Sequence, residues 1–233
     1  MIVVKQKEID WILDRLASFH NVVVLGCGEC ATVCFGGGER EVEELCCALQ
    51  LAVQEKDEAA EFHGLTCERV CDWEFVEPFA DTLRDADAVL SLACGAGSNL
   101  LADKLETVRV IPGVDTIFLG ANAGPDRWTE MCAACGDCII DQTFGICPVA
   151  RCAKTLMNGP CGGSKDGKCE IRDDVECAWA KIVERARALG RLDELERIIP
   201  PKDWSTARDG GQRSLERADL GIRRLCTEDL DEG

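Results

Sequence analysis

The chain has 233 residues, enough for one large domain or two small ones with an adequate core. Its 43 acidic residues against 26 basic ones give a formal charge of −17, which disfavours nucleic acid and anionic membrane as partners, because phosphate neutralisation needs a basic face. Tyrosine is absent and His20 and His63 are the only histidines, so a His-rich site is excluded, whereas 17 cysteines make sulfur the available ligand.

In chain order, the first half reads as α/β. Apolar residues Ile9, Ile12, Leu13 and Leu16 recur at helical spacing within 8–19. The run Val22-Val-Val-Leu25, closed by Gly26, predicts a buried parallel strand. A helix is expected over 39–54, a weaker strand over 61–65 and a helix over 75–84. A second firm strand covers 88–93, followed by a helix over 100–105 and strands over 108–111 and 116–119. Strands alternating with helices point to a doubly wound parallel sheet. The composition shifts at Gly120–Pro125, beyond which Cys and Gly dominate until a helical stretch over 174–199 with a break at Gly190 and a stop at Pro200-Pro201. The fold class expected is therefore an α/β domain over 1–124, a Cys-rich loop-and-helix domain over 125–200 and a polar tail over 201–233.

No apolar leader opens the sequence, and no run approaches the roughly 18 apolar residues of a membrane span, so a cytoplasmic location is expected. In a reducing compartment C-x-x-C spacings favour metal or redox chemistry over disulfides.

The cysteines form two groups. In the first, Cys27, Cys30 and Cys34 follow the first strand, Cys67 and Cys71 follow the next, and Cys94 directly follows the third. Ligands of open parallel sheets bind beyond the carboxyl ends of the strands, so thiols delivered there suit a cluster site. Spacing favours Cys30, Cys34, Cys71 and Cys94 as ligands, with Cys27 a close competitor and Cys67 weaker because it can fall inside the strand. Cys46-Cys47, in a helical stretch, read as small core residues, and Cys226 as incidental. The glycines Gly36-Gly-Gly38 and Gly95-Ala-Gly97 match no nucleotide-binding pattern and are expected to let backbone pass close to a cluster.

The second group reads Cys132-Ala-Ala-Cys135-Gly-Asp-Cys138, Cys147-Pro148, Cys152, Cys161, Cys169 and Cys177. C-x2-C-x2-C with a following Cys-Pro matches the way ferredoxins present thiolates to iron–sulfur clusters, and Ala133, Ala134 and Gly136 permit the necessary curl. Eight thiols suffice for two four-ligand sites; Cys132, Cys135, Cys138, Cys147 and Cys152 lead as metal ligands, with Cys161, Cys169 and Cys177 as further cofactor-binding candidates. A tetrahedral zinc site built from the C-x2-C pairs is the alternative at one site.

Three segments of the second half, Thr143-Phe-Gly-Ile-Cys-Pro-Val-Ala-Arg-Cys-Ala-Lys154, Leu156-Met-Asn-Gly-Pro-Cys-Gly-Gly-Ser164 and Glu176-Cys-Ala-Trp179, resemble the Cys-rich C-terminal domain of methylenetetrahydrofolate reductase. That domain occurs in the small iron–sulfur (MetV-type) subunit. The first half is similar to the same subunit through Gly26-Cys-Gly-Glu-Cys-Ala-Thr-Val-Cys34, Glu68-Arg-Val-Cys71 and Ala93-Cys-Gly95. The resemblance implies two or three [4Fe–4S] clusters and docking on a flavin-bearing TIM-barrel reductase subunit. It also implies electron transfer between that flavin and a further redox subunit, in one-carbon metabolism of the reductive acetyl-CoA type. Under it the chain has no catalytic residues of its own. A zinc-stabilised structural or regulatory subunit and a stand-alone cluster enzyme are the alternatives.

Overall fold

The computed structural model describes residues 1–56, 59–207 and 211–215; Cys226 and most of the expected tail lie outside them. Four strands make a parallel sheet: β2 (Asn21–Cys27), β3 (Glu61–Cys67), β4 (Ala88–Ser91) and β5 (Arg109–Pro112), in the order β3-β2-β4-β5. Val22 to Leu25 and Ala88 to Leu90 are each at most 2% exposed, as two-sided burial of a parallel sheet requires. Each fully buried Val or Leu there contributes about 1.5–3 kcal/mol.

The connections are helical. α1 (Ile9–Leu16) buries Ile12 and Leu16; the one-turn α2 (Cys30–Val33) leads into α3 (Glu39–Glu55), which buries Val42, Leu45, Leu49 and Val53 at helical spacing. The helix expected over 75–84 is two short pieces, α4 (Trp73–Val76) and α5 (Ala80–Arg84), separated by a 3₁₀ turn holding Pro78, whose ring and missing N–H oppose a continuous helix. α6 (Gly95–Lys104) starts five residues before the expected helix, directly after Cys94, despite the low helix propensity of its two glycines.

The segment 116–119 belongs to a different sheet from the one its place in the α/β alternation suggests. β6 (Val114–Gly124) pairs antiparallel with β1 (Ile2–Gln6) and with β7 (Arg127–Cys132) in a three-stranded sheet ordered β1-β6-β7. β1 closes from the far end of the sequence, and β7 alternates too weakly for period-two reading. The composition shift at 120–125 is thus the end of β6 and its turn into β7.

From Cys132 onward, regular structure among the described residues is confined to α7 (Pro148–Arg151), α8 (Ala178–Ala188) and short 3₁₀ turns. A second apolar cluster of Phe144, Ile146, Trp179, Ile182 and Ala186 holds the segment together, and Cys152, Cys177 and Leu156 pack against it. α8 is shorter than the stretch expected over 174–199: it starts beyond Cys177 and ends at Ala188, with Gly190 at φ +69 terminating it. No helix among the described residues is long and apolar enough to cross a membrane.

Candidate functional site

The parallel sheet reverses its winding between β2 and β4, since β3 is added on one side of β2 and β4 on the other. Such a switch point leaves a crevice beyond the strands' carboxyl ends. Cys27, the last residue of β2, and Cys94, the cap of α6 beyond β4, flank it. Cys67, the last residue of β3, is the register partner of Cys27. Cys71 completes the group from the turn after β3: although the residue is exposed, partial burial of its thiol raises its pKa, and charge on Cys94 and then Cys27 raises it further. Burial likewise pushes the Cys67 thiol up to about 11, with charge on Cys27 and Cys71 adding to the rise. Charge thus links Cys67 to Cys27 and Cys71, and Cys71 to Cys94 and Cys27, at the crest of the sheet.

Gly97 permits this convergence. A Cβ there would stand 3.0 Å from Val70 Cγ1 and from Ala93 Cβ, so only glycine lets the first turn of α6 press against the turn that carries Cys71. The amino end of α6 then faces the thiols, and its uncompensated N–H groups favour negative charge. Thr116 of β6 accepts a hydrogen bond from Gly95 N at 2.8 Å, which anchors that end to the antiparallel sheet. Gly36, Gly37 and Gly38 serve packing instead: a Cβ would collide with Val4, Leu92 and Thr32 respectively, so their approach is to neighbouring chain and not to the crest.

Cys34 points elsewhere. Its sulfur accepts a hydrogen bond from Val4 N of β1 at 3.4 Å, lies 3.5 Å from the Ala31 carbonyl, and is raised in pKa chiefly by burial. Cys30 adds a smaller rise to Cys34, so these two make a pair apart from the crest group. Cys46 packs against the core, and its thiol is pushed up to about 11 by burial. Cys47, expected in the core beside it, is exposed.

The second group divides around α7. Cys147 caps its amino end, where Sγ accepts a hydrogen bond from Ala150 N at 3.4 Å, and Cys152 caps its carboxyl end. Before it, the C-x2-C-x2-C loop curls as its small residues predict: Ala134 has φ +51 and Gly136 φ +81, and Ala134 N donates to Cys132 Sγ at 3.3 Å. α7 packs on β7, which ends in Cys132, and Cys147 caps the amino end of that helix.

At the other end of α7, Cys152, Cys161, Cys169 and Cys177 line one small pocket, in company with Arg151, Lys154, Glu170 and Trp179. Trp179 Nε1 donates to the Leu156 carbonyl at 2.8 Å, which fixes the wall of the pocket. Gly163 N donates to Cys161 Sγ at 3.5 Å. The Cys169 pKa is lowered, first by the N–H groups of Ile171 and Arg172, then by those of Ala153 and by the Lys154 charge. The pocket is the feature that spacing alone missed, because its four thiols are separated by eight, seven and seven residues and form no short motif.

Among the described residues no three His, Cys, Asp or Glu side chains stand close enough together to enclose a single metal ion. Four thiolates about 2.3 Å from one zinc ion would nearly touch one another. The donor set, all sulfur with main-chain N–H groups aimed at several of the sulfurs, is of the kind that holds iron–sulfur clusters.

No curated protein and no solved structure matches this chain. Residues 111–205, from β5 through the whole second thiol group, match the family described as methylene-tetrahydrofolate reductase C terminal, which relates this part of the chain to that reductase.

Proposed function

We propose that the chain is an iron–sulfur electron-transfer subunit that works beside a flavin-bearing methylenetetrahydrofolate reductase in one-carbon metabolism. The observation that carries this reading is the convergence of four thiols on a single pocket, Cys152, Cys161, Cys169 and Cys177, within the segment that matches the reductase family. Cys27, Cys67, Cys71 and Cys94 would hold a second [4Fe–4S] cluster at the sheet crest, and Cys132, Cys135, Cys138 and Cys147 a third. Compared with the spacing-based choice, Cys27 and Cys67 replace Cys30 and Cys34 at the crest, because Cys67 adjoins Cys27 and Cys34 is engaged by β1.

A bound cluster would supply one-electron chemistry, with its potential set by burial and by hydrogen bonds to sulfur. The chain's own part is to hold thiolates, to aim N–H groups at them and to exclude water. α7, of four residues, is about 6 Å long at 1.5 Å per residue, so groups at its two ends are a short electron hop apart. Folate and flavin would stay on the partner. The charge of −17 suits docking on a basic face, with association that slows as salt rises.

The test is anaerobic reduction of the purified chain by the partner's reduced flavin, followed by absorbance and electron paramagnetic resonance. Bleaching of a broad thiolate-to-iron band with appearance of a reduced-cluster signal is expected. A colourless, zinc-containing chain that still raises the partner's activity would instead establish a structural or regulatory subunit.

A further inference from the structure

Beyond the second apolar cluster the chain turns back, and residues 202–206 lie across the loop that carries Cys132, Cys135 and Cys138. Asp137 N donates to Thr206 Oγ1 at 2.9 Å, and Asp203 N donates to Asp137 Oδ2 at 3.1 Å. A Cβ on Gly136 would collide with Thr206, so strap and loop meet backbone to side chain with no room between them. Arg213 reaches the same loop, with Nη2 donating to the Ala134 carbonyl at 3.4 Å.

Lys202 is the unusual member of this strap. It is only 6% exposed, one of three buried polar or charged residues among those described. Its ammonium lies 4.7 Å from the centre of the Trp204 ring and donates to the carbonyls of Cys135 and Asp203, each at 3.2 Å. Among the described residues it donates to main-chain carbonyls and to no carboxylate. The neighbouring Asp203 carboxylate is taken up by Ser205, whose N–H and hydroxyl both donate to its Oδ1. A lysine is almost never buried without a compensating anion, because the desolvation cost is large. The thiol loop it touches has one carboxylate of its own, Asp137, already bonded to the strap. The Asp203 carboxylate nevertheless feels the Lys202 charge, and the bond to the Cys135 carbonyl holds the ammonium against the backbone of the thiol loop.

We infer that Lys202 is a positioning residue for the group bound at Cys132, Cys135 and Cys138, a buried cation held on the Cys135 carbonyl that favours the more reduced state of the cluster those thiolates hold. The inference rests on the iron–sulfur reading above. Reduction adds an electron, hence negative charge, near a fixed positive one in a medium of low effective dielectric, so the cation stabilises the reduced form. Removing it should make the cluster harder to reduce.

The experiment compares full-length wild type, Lys202→Met, Lys202→Arg and Thr206→Val, each purified anaerobically. Iron and sulfide are counted first, and cluster midpoint potentials are then measured by a dye-mediated titration followed by electron paramagnetic resonance. One cluster in Lys202→Met should shift to a lower potential with iron content kept. Lys202→Arg should stay near wild type, and Thr206→Val, which loosens the strap but keeps the charge, should shift less than Lys202→Met. If Lys202→Met loses one cluster while Lys202→Arg retains it, the charge role is again supported. Unchanged potentials in Lys202→Met at full iron content overturn the inference, as does equal loss of iron from the Met and Arg variants, which would make Lys202 a strap residue only. Wild type without iron or sulfide overturns the iron–sulfur reading itself and this inference with it.

Discussion

Cys27 and Cys67 are register partners, the last pair of the parallel ladder between β2 and β3. Both are buried, and their Cα atoms sit on neighbouring strands about 4.8 Å apart, so the two thiols leave the sheet side by side. The pairing follows from strand register and not from any motif. It determines which residues the crest group contains, and it separates two otherwise similar ligand sets.

Substitution of Cys67 by Ser should therefore cost the protein one cluster, about four iron atoms per chain. Substitution of Cys34 by Ser should leave the iron content unchanged, since its sulfur is engaged by Val4 N and Ala31. Iron analysis of both variants checks this, and iron loss from the Cys34 variant alone would restore the spacing-based set.

In the metal-free chain the thiols should differ in reactivity. Cys169, drawn down by the N–H groups of Ile171 and Arg172, should be alkylated faster at pH 7 than Cys67, which burial holds at about 11. Timed iodoacetamide labelling with peptide mass spectrometry reads both in one sample. Bound cluster should protect both from labelling.

Stability of the metal-free chain should fall as pH rises from about 9 to about 11. The Cys46 and Cys67 thiols titrate near 11 in the folded state and near 9.0 when unfolded. A raised folded pKa contributes stability that is complete below the unfolded value and is lost as pH climbs through the folded one. Melting temperatures across that window, compared with those of a Cys46→Ala, Cys67→Ala double variant, isolate the effect. The variant should start lower and decline less steeply.

Gly97→Val should separate α6 from Val70, where even a Cβ would stand at 3.0 Å. Overpacking of this kind costs about 1–3 kcal/mol. A lowered melting temperature, with loss of about four iron and retention of the rest, is expected. Full iron content in Gly97→Val would show that Cys71 and Cys94 need not approach each other.

The parallel sheet was legible because its most buried strands are continuous Val, Leu and Ala runs followed by glycine or cysteine, and the strand ends carry thiols to one edge without saying which of them stand together. β1 and β7 were not legible: β1 finds its partner in β6, more than a hundred residues away, and β7 pairs through main-chain hydrogen bonds that its mixed, mostly exposed side chains do not signal. The curl of the C-x2-C-x2-C loop was readable from its small residues, and the left-handed Ala134 and Gly136 realise it. The pocket of Cys152, Cys161, Cys169 and Cys177 was hidden by long spacings that only turns such as Gly162 and Gly167, both at positive φ, bring together. Lys202 carried no signal at all, since a single lysine after two prolines reads as solvated tail.

The most direct measurement is the amount of iron, zinc and acid-labile sulfide per chain in anaerobically purified protein. The thiol groups described here predict at least about eight iron atoms with equal sulfide, rising to about twelve if all three sites are filled. Zinc without sulfide would contradict the electron-transfer account and leave the chain as a structural companion of the reductase.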